Sequence, residues 1–315
     1  MKISVQSGGI IEHLGAKKCY RLIAEAGFDA VDWNGVEHAC PRSVIFDGEK
    51  RKDCIYFRPL NEVLEYFKEE LYAIKEAGLF ITQAHAPFPA YLSSSPEILD
   101  DMTEIYKKVI EVCNSVGCKR LVIHGISLSL GDNVNTAASV KRLNYRLYES
   151  LIPTLLKCDV TVCLENLFTA GGGPVIEGVC SDPYEAAEYI DSLNAKAGKA
   201  VFGFCLDTGH IRLLSKDFRV FVPVLGKRIK CLHIHDNDGT TDAHLAPMAG
   251  NINWNHFCNS LKEIGYEGDL SFETFRQAIA ALEVNEDMLL PTLRYICETG
   301  KNFKNQIEKE FLKEL

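Results

Sequence analysis

The sequence predicts an α/β protein, a single (β/α)₈ barrel over residues 1–315 with an extra helix at its C-terminus. Three observations predict this fold. Eight short apolar runs alternate with amphipathic segments along 315 residues, which matches the strand number and the usual length of such a barrel. Polar residues suited to a functional site stand at the ends of these runs. No low-complexity linker divides the chain, so one domain is expected.

The eight apolar runs are four to eight residues long and rich in β-branched or aromatic residues, as buried parallel strands are. In chain order they are KISVQ, AVDW, LFITQAH, LVIHG, VTVCLENL, VFGFCLD, IKCLHIHD and LSFET.

Amphipathic helices are predicted between the runs. In residues 59–78, apolar side chains from Leu60 to Ile74 recur at spacings of three and four, and Gly78 stands where a helix would end. Comparable patterns cover residues 16–26, 97–116, 135–157, 182–196, 253–264 and 285–299, and more weakly 216–225. The last segment, KNFKNQIEKEFLKEL, predicts a charged extra helix outside the barrel.

Two connections are unusually long. Residues 34–58 follow the second run, and residues 236–252 follow the seventh. Long connections in compact domains are often functional, so we expect residues 34–58 to form a lid or a wall of the substrate site. The basic stretch Lys50–Lys52 is interleaved with acids and is expected to be exposed to solvent.

Composition argues against several classes of protein. The net charge of −9 and the pI of about 5.5 disfavour nucleic-acid binding, and no apolar run is long enough to span a membrane. The N-terminus lacks the pattern of a secretory signal, so a cytoplasmic protein is expected. The twelve cysteines are expected to be reduced and to serve packing.

Residues with metal-binding chemistry close six of the runs: His85, His124, Glu165, Asp207, His235 and Glu273. Active sites of (β/α)₈ barrels form on this C-terminal face. The last four strands are neighbours, so Glu165, Asp207, His235 and Glu273 are expected to surround one divalent cation. Without a cation, the three carboxylates would repel one another and would have to take up protons.

Five residues are expected nearby as further metal ligands or substrate contacts: His85, His124, His210, Asp242 and His244. For each one alone, a structural role fits as well. His233 shares a strand face with His235, so it is expected to point into the barrel one layer deeper, as a core or supporting histidine.

Five motifs in this order resemble the xylose-isomerase-like barrel superfamily: QAHAPF, ENL, CLDTGH, HIHDNDG…DAHLAP…G and SFET. That group includes sugar phosphate isomerases and epimerases and the endonuclease IV type of AP endonuclease. The resemblance implies that Glu165, Asp207, His235 and Glu273 hold the single metal found in its ketose epimerases and inosose isomerases. It also implies that His210 contacts the substrate.

The same resemblance leaves a phosphodiesterase open. Nine residues match the ligands of the three zinc ions of the endonucleases: His85, His124, Glu165, Asp207, His210, His235, Asp242, His244 and Glu273. The stretches HAPFPAYLSS and ENLFTAGGG depart from the endonuclease pattern. The free-ketose epimerases carry an Arg and a Glu where this chain has Thr241 and Gly171, so a ketohexose epimerase in the narrow sense is not expected.

The sequence therefore predicts a metal-dependent isomerase or epimerase of a sugar, sugar phosphate or inositol-type ketone. Glu165 and Glu273 would be the acid–base pair for proton transfer through an enediolate, and His210 would hydrogen-bond a substrate oxygen. The expected cofactor is a divalent ion, manganese or zinc first, with magnesium or cobalt also compatible. Specificity is expected to lie in residues 34–58 and around Gly171–Gly173.

The expected partner is a small sugar-like molecule, not a nucleic acid or a membrane, and a homo-oligomer stays open. The alternatives are the endonuclease, an inosose-type dehydratase or a barrel that only binds its ligand.

Overall fold

The computed structural model describes residues 1–45, 47–88, 96–126, 137–169 and 175–308. Its barrel strands, first to eighth, are Ile3–Gln6, Ala30–Trp33, Phe80–His85, Arg120–Val122, Thr161–Glu165, Phe202–Asp207, Ile229–His233 and Leu270–Phe272. The first seven strands pair consecutively in parallel, the first also pairs with the eighth, and a single parallel bridge from Ile234 to Phe272 joins the end of the seventh strand to the eighth. Each lies within or one residue beyond a predicted run, which confirms the strand predictions.

Backbone hydrogen bonds close the barrel between its seventh and eighth strands. The N–H of Ile234 donates to the carbonyl of Ser271 at 2.8 Å, and the N–H of Glu273 donates to the carbonyl of Ile234 at 3.0 Å. The two strands are therefore tied together where His235 and Glu273 emerge.

Alternation along the strands divides the barrel interior into layers. Val122, Cys163, Cys205 and Cys231 form a small buried cluster of their own. Each of the three cysteines precedes a charged or imidazole side chain by two residues in the sequence, so these thiols form the layer below the polar mouth. The larger apolar core lies between the strands and the surrounding helices.

The helices that surround the barrel mostly follow the predicted pattern. They are Ile10–Leu14, Ala16–Ala26, Leu60–Tyr66, Lys68–Glu76, Pro96–Val116, Ala137–Leu155, Pro183–Ala197, Thr208–Leu213, Phe218–Leu225, Trp254–Glu263, Phe275–Val284 and Leu289–Glu308. The helix predicted over 59–78 is two helices, because the chain leaves regular helix at Phe67. A short hairpin of Phe168–Thr169 and Ile176–Glu177 follows the fifth strand.

The C-terminal helix is present and longer than predicted. Leu289–Glu308 is one continuous helix that joins the predicted 285–299 helix to the predicted extra helix. Its far end is anchored by Phe303, whose ring lies 5.1 Å from that of Trp254 and 6.4 Å from that of Phe272. The stretch 309–315 of that prediction lies outside the described residues.

Residues 34–58 form a packed wall and not an extended loop. They contain the short helices Gly35–His38, Arg42–Ile45 and Gly48–Lys52 and the 3₁₀ turn Ile55–Phe57. The expectation that Lys50–Lys52 is fully exposed is wrong for Arg51, which is buried. Its guanidinium donates to Asp101 and to the carbonyl of Ile45, both at 2.7 Å, which ties the wall to helix Pro96–Val116.

All twelve cysteines are buried, and none forms a disulfide, as the sequence predicted. Among the described residues, no helix combines the length and the apolar character that crossing a membrane requires.

Candidate metal centre

The strand ends bring a dense group of carboxylates and imidazoles to one mouth of the barrel. His85, Glu165 and Asp207 end the third, fifth and sixth strands, and His124, His235 and Glu273 follow the fourth, seventh and eighth within two residues. The four predicted metal ligands are all buried, with exposed fractions of 0% for Asp207 and His235, 2% for Glu165 and 9% for Glu273.

Asp207 organises the part of the site formed by the CLDTGH motif. One of its oxygens accepts the backbone N–H of His210 at 2.7 Å, so Asp207 caps helix Thr208–Leu213. The cap turns His210 into the mouth, with Nδ1 3.6 Å from Asp207 Oδ1 and 3.3 Å from Glu165 Oε1. His235 Nε2 lies 2.9 and 3.1 Å from the two Asp207 oxygens.

Gly209 leaves the space that the His235 ring occupies. A Cβ atom at this position would lie 1.9 Å from Cε1 of His235, so any other residue would displace the imidazole. The sequence interpretation used Asp207 and His210 of this motif and missed the glycine between them.

Glu165 is surrounded by imidazoles. Its Oε2 lies 3.1 Å from His124 Nε2, 3.3 Å from His233 Nδ1 and 3.9 Å from His85 Nε2. His85 and His124 face each other through their Nε2 atoms at 3.0 Å. Burial lowers the pKa of His85 to about 3, and the nearby His124 acts in the same direction, so one of the two facing rings is neutral.

Glu273 is the second buried carboxylate beside His233. Its Oε1 accepts a hydrogen bond from Gln6 Nε2 at 3.0 Å. Its Oε2 lies 3.5 Å from His233 Nδ1 and 3.7 Å from His244 Nδ1. The Nδ1 atom of His233 therefore lies within 3.5 Å of a carboxylate oxygen of both Glu165 and Glu273.

His233 also links the site to the second strand, because its Nε2 lies 3.5 Å from Asp32 Oδ2. Both ring nitrogens of His233 are buried without a hydrogen bond of good geometry among the described residues. Sequence reasoning missed Asp32 and Gln6. Gln6 closes the first apolar run, as the predicted site residues close theirs, whereas Asp32 stands one residue before the end of the second run.

The connection after the seventh strand adds Asp242 and His244. His244 Nε2 lies 3.0 Å from Asp242 Oδ2, and its ring stacks on that of His235 with centroids 4.1 Å apart. The backbone of His244 is left-handed, with φ of 45°. Burial lowers the pKa of His244, but the charges on Glu273 and Asp242 outweigh it and raise that pKa to about 9.

The donor set fits a divalent cation. Several groups of three side chains have their possible ligand atoms within 4.8 Å of one another, and three of these groups overlap. They are Asp207 with His210 and His235, His235 with His244 and Glu273, and Asp207 with His233 and Glu273. Glu165 belongs to two adjoining groups, one with His85 and His124 and one with Cys205 and His233. His235 Nδ1 and Asp242 Oδ1 are buried without a hydrogen-bond partner among the described residues.

The charges of these side chains also favour a bound divalent cation. Every ion pair that Glu165, Asp207, Asp242 and Glu273 make with a described residue is with a histidine, never with a lysine or arginine. Buried carboxylates at this density need protons or a cation. The Gly171–Gly173 loop lies outside the described residues.

Comparison with known proteins gives the same fold along nearly the whole chain. The family model described as xylose isomerase-like TIM barrel matches residues 20–296. A D-tagatose 3-epimerase-like protein is 22% identical with a TM-score of 0.66, over 94% of this chain and 100% of that one. The D-allulose 3-epimerase of a Methylomonas species, in complex with D-allulose, is 16% identical with a TM-score of 0.66, over 97% and 96%. The IOLI protein with a bound zinc atom is 17% identical with a TM-score of 0.61, over 98% of both chains.

Proposed function

The chain belongs to the xylose isomerase-like TIM barrel family, and we propose that it is a metal-dependent enzyme that isomerises or epimerises a sugar-like ketone. One observation carries the proposal. Two buried carboxylates, Glu165 and Glu273, lie 3.3 and 3.5 Å from the same ring nitrogen of His233, Nδ1, at the barrel mouth, beside further side chains with metal-binding chemistry. The solved structures of similar fold with ketose epimerase names support it.

Glu165, Asp207, His235 and Glu273 would hold the ion, with manganese or zinc favoured and magnesium or cobalt also compatible. When bound, the ion supplies positive charge that stabilises the enediolate form of the substrate. The similarly folded IOLI protein binds a zinc atom, which supports a metal-dependent enzyme.

Glu165 and Glu273 transfer the proton. They come from the fifth and eighth strands, so they can face opposite sides of a substrate lying across the mouth. One carboxylate removes the proton from the carbon next to the carbonyl, and the other returns a proton to the opposite face or to the neighbouring carbon. Gln6 holds Glu273 in place through its hydrogen bond.

His210 binds a substrate oxygen. Its Nδ1 is engaged by the carbonyl oxygen of Asn166 at 2.8 Å, which fixes the ring. Its Nε2 lies 3.8 Å from Asp242 and is available to a ligand. Phe168 packs edge-on against the same ring, with centroids 4.9 Å apart.

We expect an uncharged substrate, a free sugar or an inositol-type ketone in place of a sugar phosphate. Residues 7–15, 86–95, 123–136, 166–182 and 234–253, which connect the strands at this face, contain no lysine or arginine. Arg212 and Lys216, after the sixth strand, pair with Asn251 and Glu177. A dianionic phosphate would therefore meet no cationic side chain from these five connections, and lysine or arginine would have to come from the connections after the second, sixth or eighth strand. With its cysteines reduced, the protein is expected to act in the cytoplasm.

Hydrolysis of phosphodiesters is the second candidate, and the group of His85, His124 and Glu165 favours it because it could hold another ion. Metal content decides between the two. Elemental analysis of the purified protein should give about one divalent ion per chain, with turnover of ketoses or inososes and no cleavage of abasic-site DNA. Three ions together with DNA cleavage would overturn the isomerase. A product lighter by one water would instead identify a dehydratase.

A further inference from the structure

Glu37 lies on the wall of the mouth that faces the proposed metal ligands. It belongs to helix Gly35–His38, which begins directly after the second strand. In a closed barrel of eight strands the second stands across from the sixth, which ends at Asp207. Glu37 is close enough to Glu273 and His124 to interact with both electrostatically.

A buried amide orients the Glu37 carboxyl group. Asn34, 1% exposed, donates from Nδ2 to Glu37 Oε2 at 3.1 Å. Its Oδ1 accepts the backbone N–H of Gly8 at 3.2 Å. These bonds fix Glu37 between the ends of the first two strands.

The other oxygen of Glu37 is left for a ligand. In the described part of the chain, Asn34 is the only hydrogen-bond donor to this carboxyl group, and no cationic side chain forms an ion pair with it. The neighbouring His38 pairs instead with Glu12, at 2.6 Å.

Burial raises the pKa of Glu37 to about 7, against the opposing effects of His38 and Asn34. A carboxyl group that is protonated for part of the time can donate as well as accept a hydrogen bond. Such a group suits a hydroxyl, which does both.

We propose that Glu37 binds substrate, by hydrogen-bonding a hydroxyl group of the sugar-like molecule on the side of the site remote from Asp207. This inference rests on the proposed function, because it takes a polyhydroxylated substrate held between the wall and the metal ligands. Glu37 then determines specificity, since an analogue that lacks the hydroxyl leaves a half-buried polar group without a partner.

The test uses metal-loaded protein and the variants Glu37→Ala and Glu37→Gln. Glu12→Gln is the matched control, because it removes a carboxylate from the far side of His38. Rates are measured with an inosose, with D-tagatose, D-allulose and D-fructose, and with the 1-deoxy and 6-deoxy forms of these ketoses. Glu37→Ala should lower kcat/KM about tenfold or more, mostly through KM, while Glu37→Gln, which keeps the acceptor for Asn34, should lose less. Glu12→Gln should match the wild type.

The deoxy sugars show whether the contact is direct. With the form that lacks the contacted hydroxyl, Glu37→Ala should cause no further loss, since the two deletions remove one interaction. Unchanged KM in Glu37→Ala, or an equal loss with every deoxy sugar, would overturn the inference and leave the proposed function standing.

Absence of turnover of any ketose or inosose by the wild type would overturn the proposed function instead. Calorimetric titration of the metal-loaded protein with D-tagatose and D-fructose then tests separately whether Glu37 binds substrate. Weaker binding by Glu37→Ala than by the wild type supports the inference, and unchanged or undetectable binding overturns it.

Discussion

At the scale of single residues, the mouth is defined by two carboxylates, Glu165 and Glu273, that share His233 as a neighbour. An amide in place of either carboxyl group cannot accept or return a proton. We therefore expect Glu165→Gln and Glu273→Gln each to lower kcat by about 10²–10⁴. The measurement is turnover together with exchange of solvent deuterium into the substrate carbon next to the carbonyl.

The control for these variants is Glu188→Gln, which removes a surface carboxylate paired with Lys141 at 2.7 Å and should leave both rates unchanged. Wild-type deuterium exchange in either Glu165→Gln or Glu273→Gln would show that the altered carboxyl group does not transfer the proton.

Gly209 tests whether His235 must keep its position. Gly209→Ala would force a methyl group into the imidazole and move this proposed ligand. We expect metal affinity, measured by competition with a chelator, to fall about 10–100-fold. Gly48→Ala is the matched control, because a Cβ there meets no atom within 4 Å. Equal affinities in the two variants would mean that His235 is not a ligand.

At the scale of elements, the connection after the seventh strand takes its shape from one buried carboxylate. Asp236 Oδ1 accepts the backbone N–H groups of Asn237 at 2.9 Å and Ile252 at 3.2 Å. Its Oδ2 accepts the N–H of Met248 at 3.0 Å and the indole of Trp254 at 3.1 Å. Asp236 therefore ties together the two ends of the segment that carries Asp242 and His244.

Asp236→Ala would leave these four donors without their acceptor. We expect the free energy of unfolding to fall by about 3 kcal/mol or more, and proteases to cut first within residues 237–252. Asp238→Ala is the comparison, since Asp238 is exposed and its side chain stabilises a local turn through Thr240 and Thr241. Urea unfolding and limited proteolysis measure both, and equal losses would contradict the role given to Asp236.

Glu70 joins three elements around the second strand and predicts a pH dependence of stability. Its Oε1 accepts from the hydroxyl of Tyr20 at 2.5 Å and from the indole of Trp33 at 2.9 Å. Burial raises the pKa of Glu70 above its ordinary value of 4.5, although these hydrogen bonds oppose the shift. The folded protein therefore favours the protonated form, and stability is lost as the pH rises from 4.5 through the raised pKa.

Glu70→Gln stays neutral and keeps an acceptor for both donors. We expect it to match the wild type in urea unfolding at pH 4 and to be more stable at pH 8. If the variant were less stable than the wild type at pH 8 and equally stable at pH 4, the predicted pH dependence would have the wrong sign.

Sequence patterns were sufficient to predict the strands but not every helix. All eight strands were predicted because buried parallel strands are continuous apolar runs. Helix Phe275–Val284 was missed, since its buried positions include the small residues Ala278 and Ala281, which give a weak apolar stripe. The wall of residues 34–58 was predicted as a long connection, but its helices are too short to show periodicity.

At the scale of the whole molecule, barrel topology made the site predictable in outline. Parallel strands deliver their C-terminal ends to one face, so strand-end residues could be grouped from the sequence without any distance. The roles of Gln6, Gly209 and Glu37 depend instead on side chains that approach across the barrel or from another connection. Such approaches follow from packing and have no local sequence signal.

The central claim is that four strand ends converge on one cation. X-ray diffraction from metal-loaded crystals, recorded on both sides of the absorption edge of the metal, tests it directly. We predict a single anomalous peak per chain, with oxygen or nitrogen atoms of Glu165, Asp207, His235 and Glu273 at about 2.0–2.2 Å. Three peaks, or no peak within reach of these four side chains, would contradict the account.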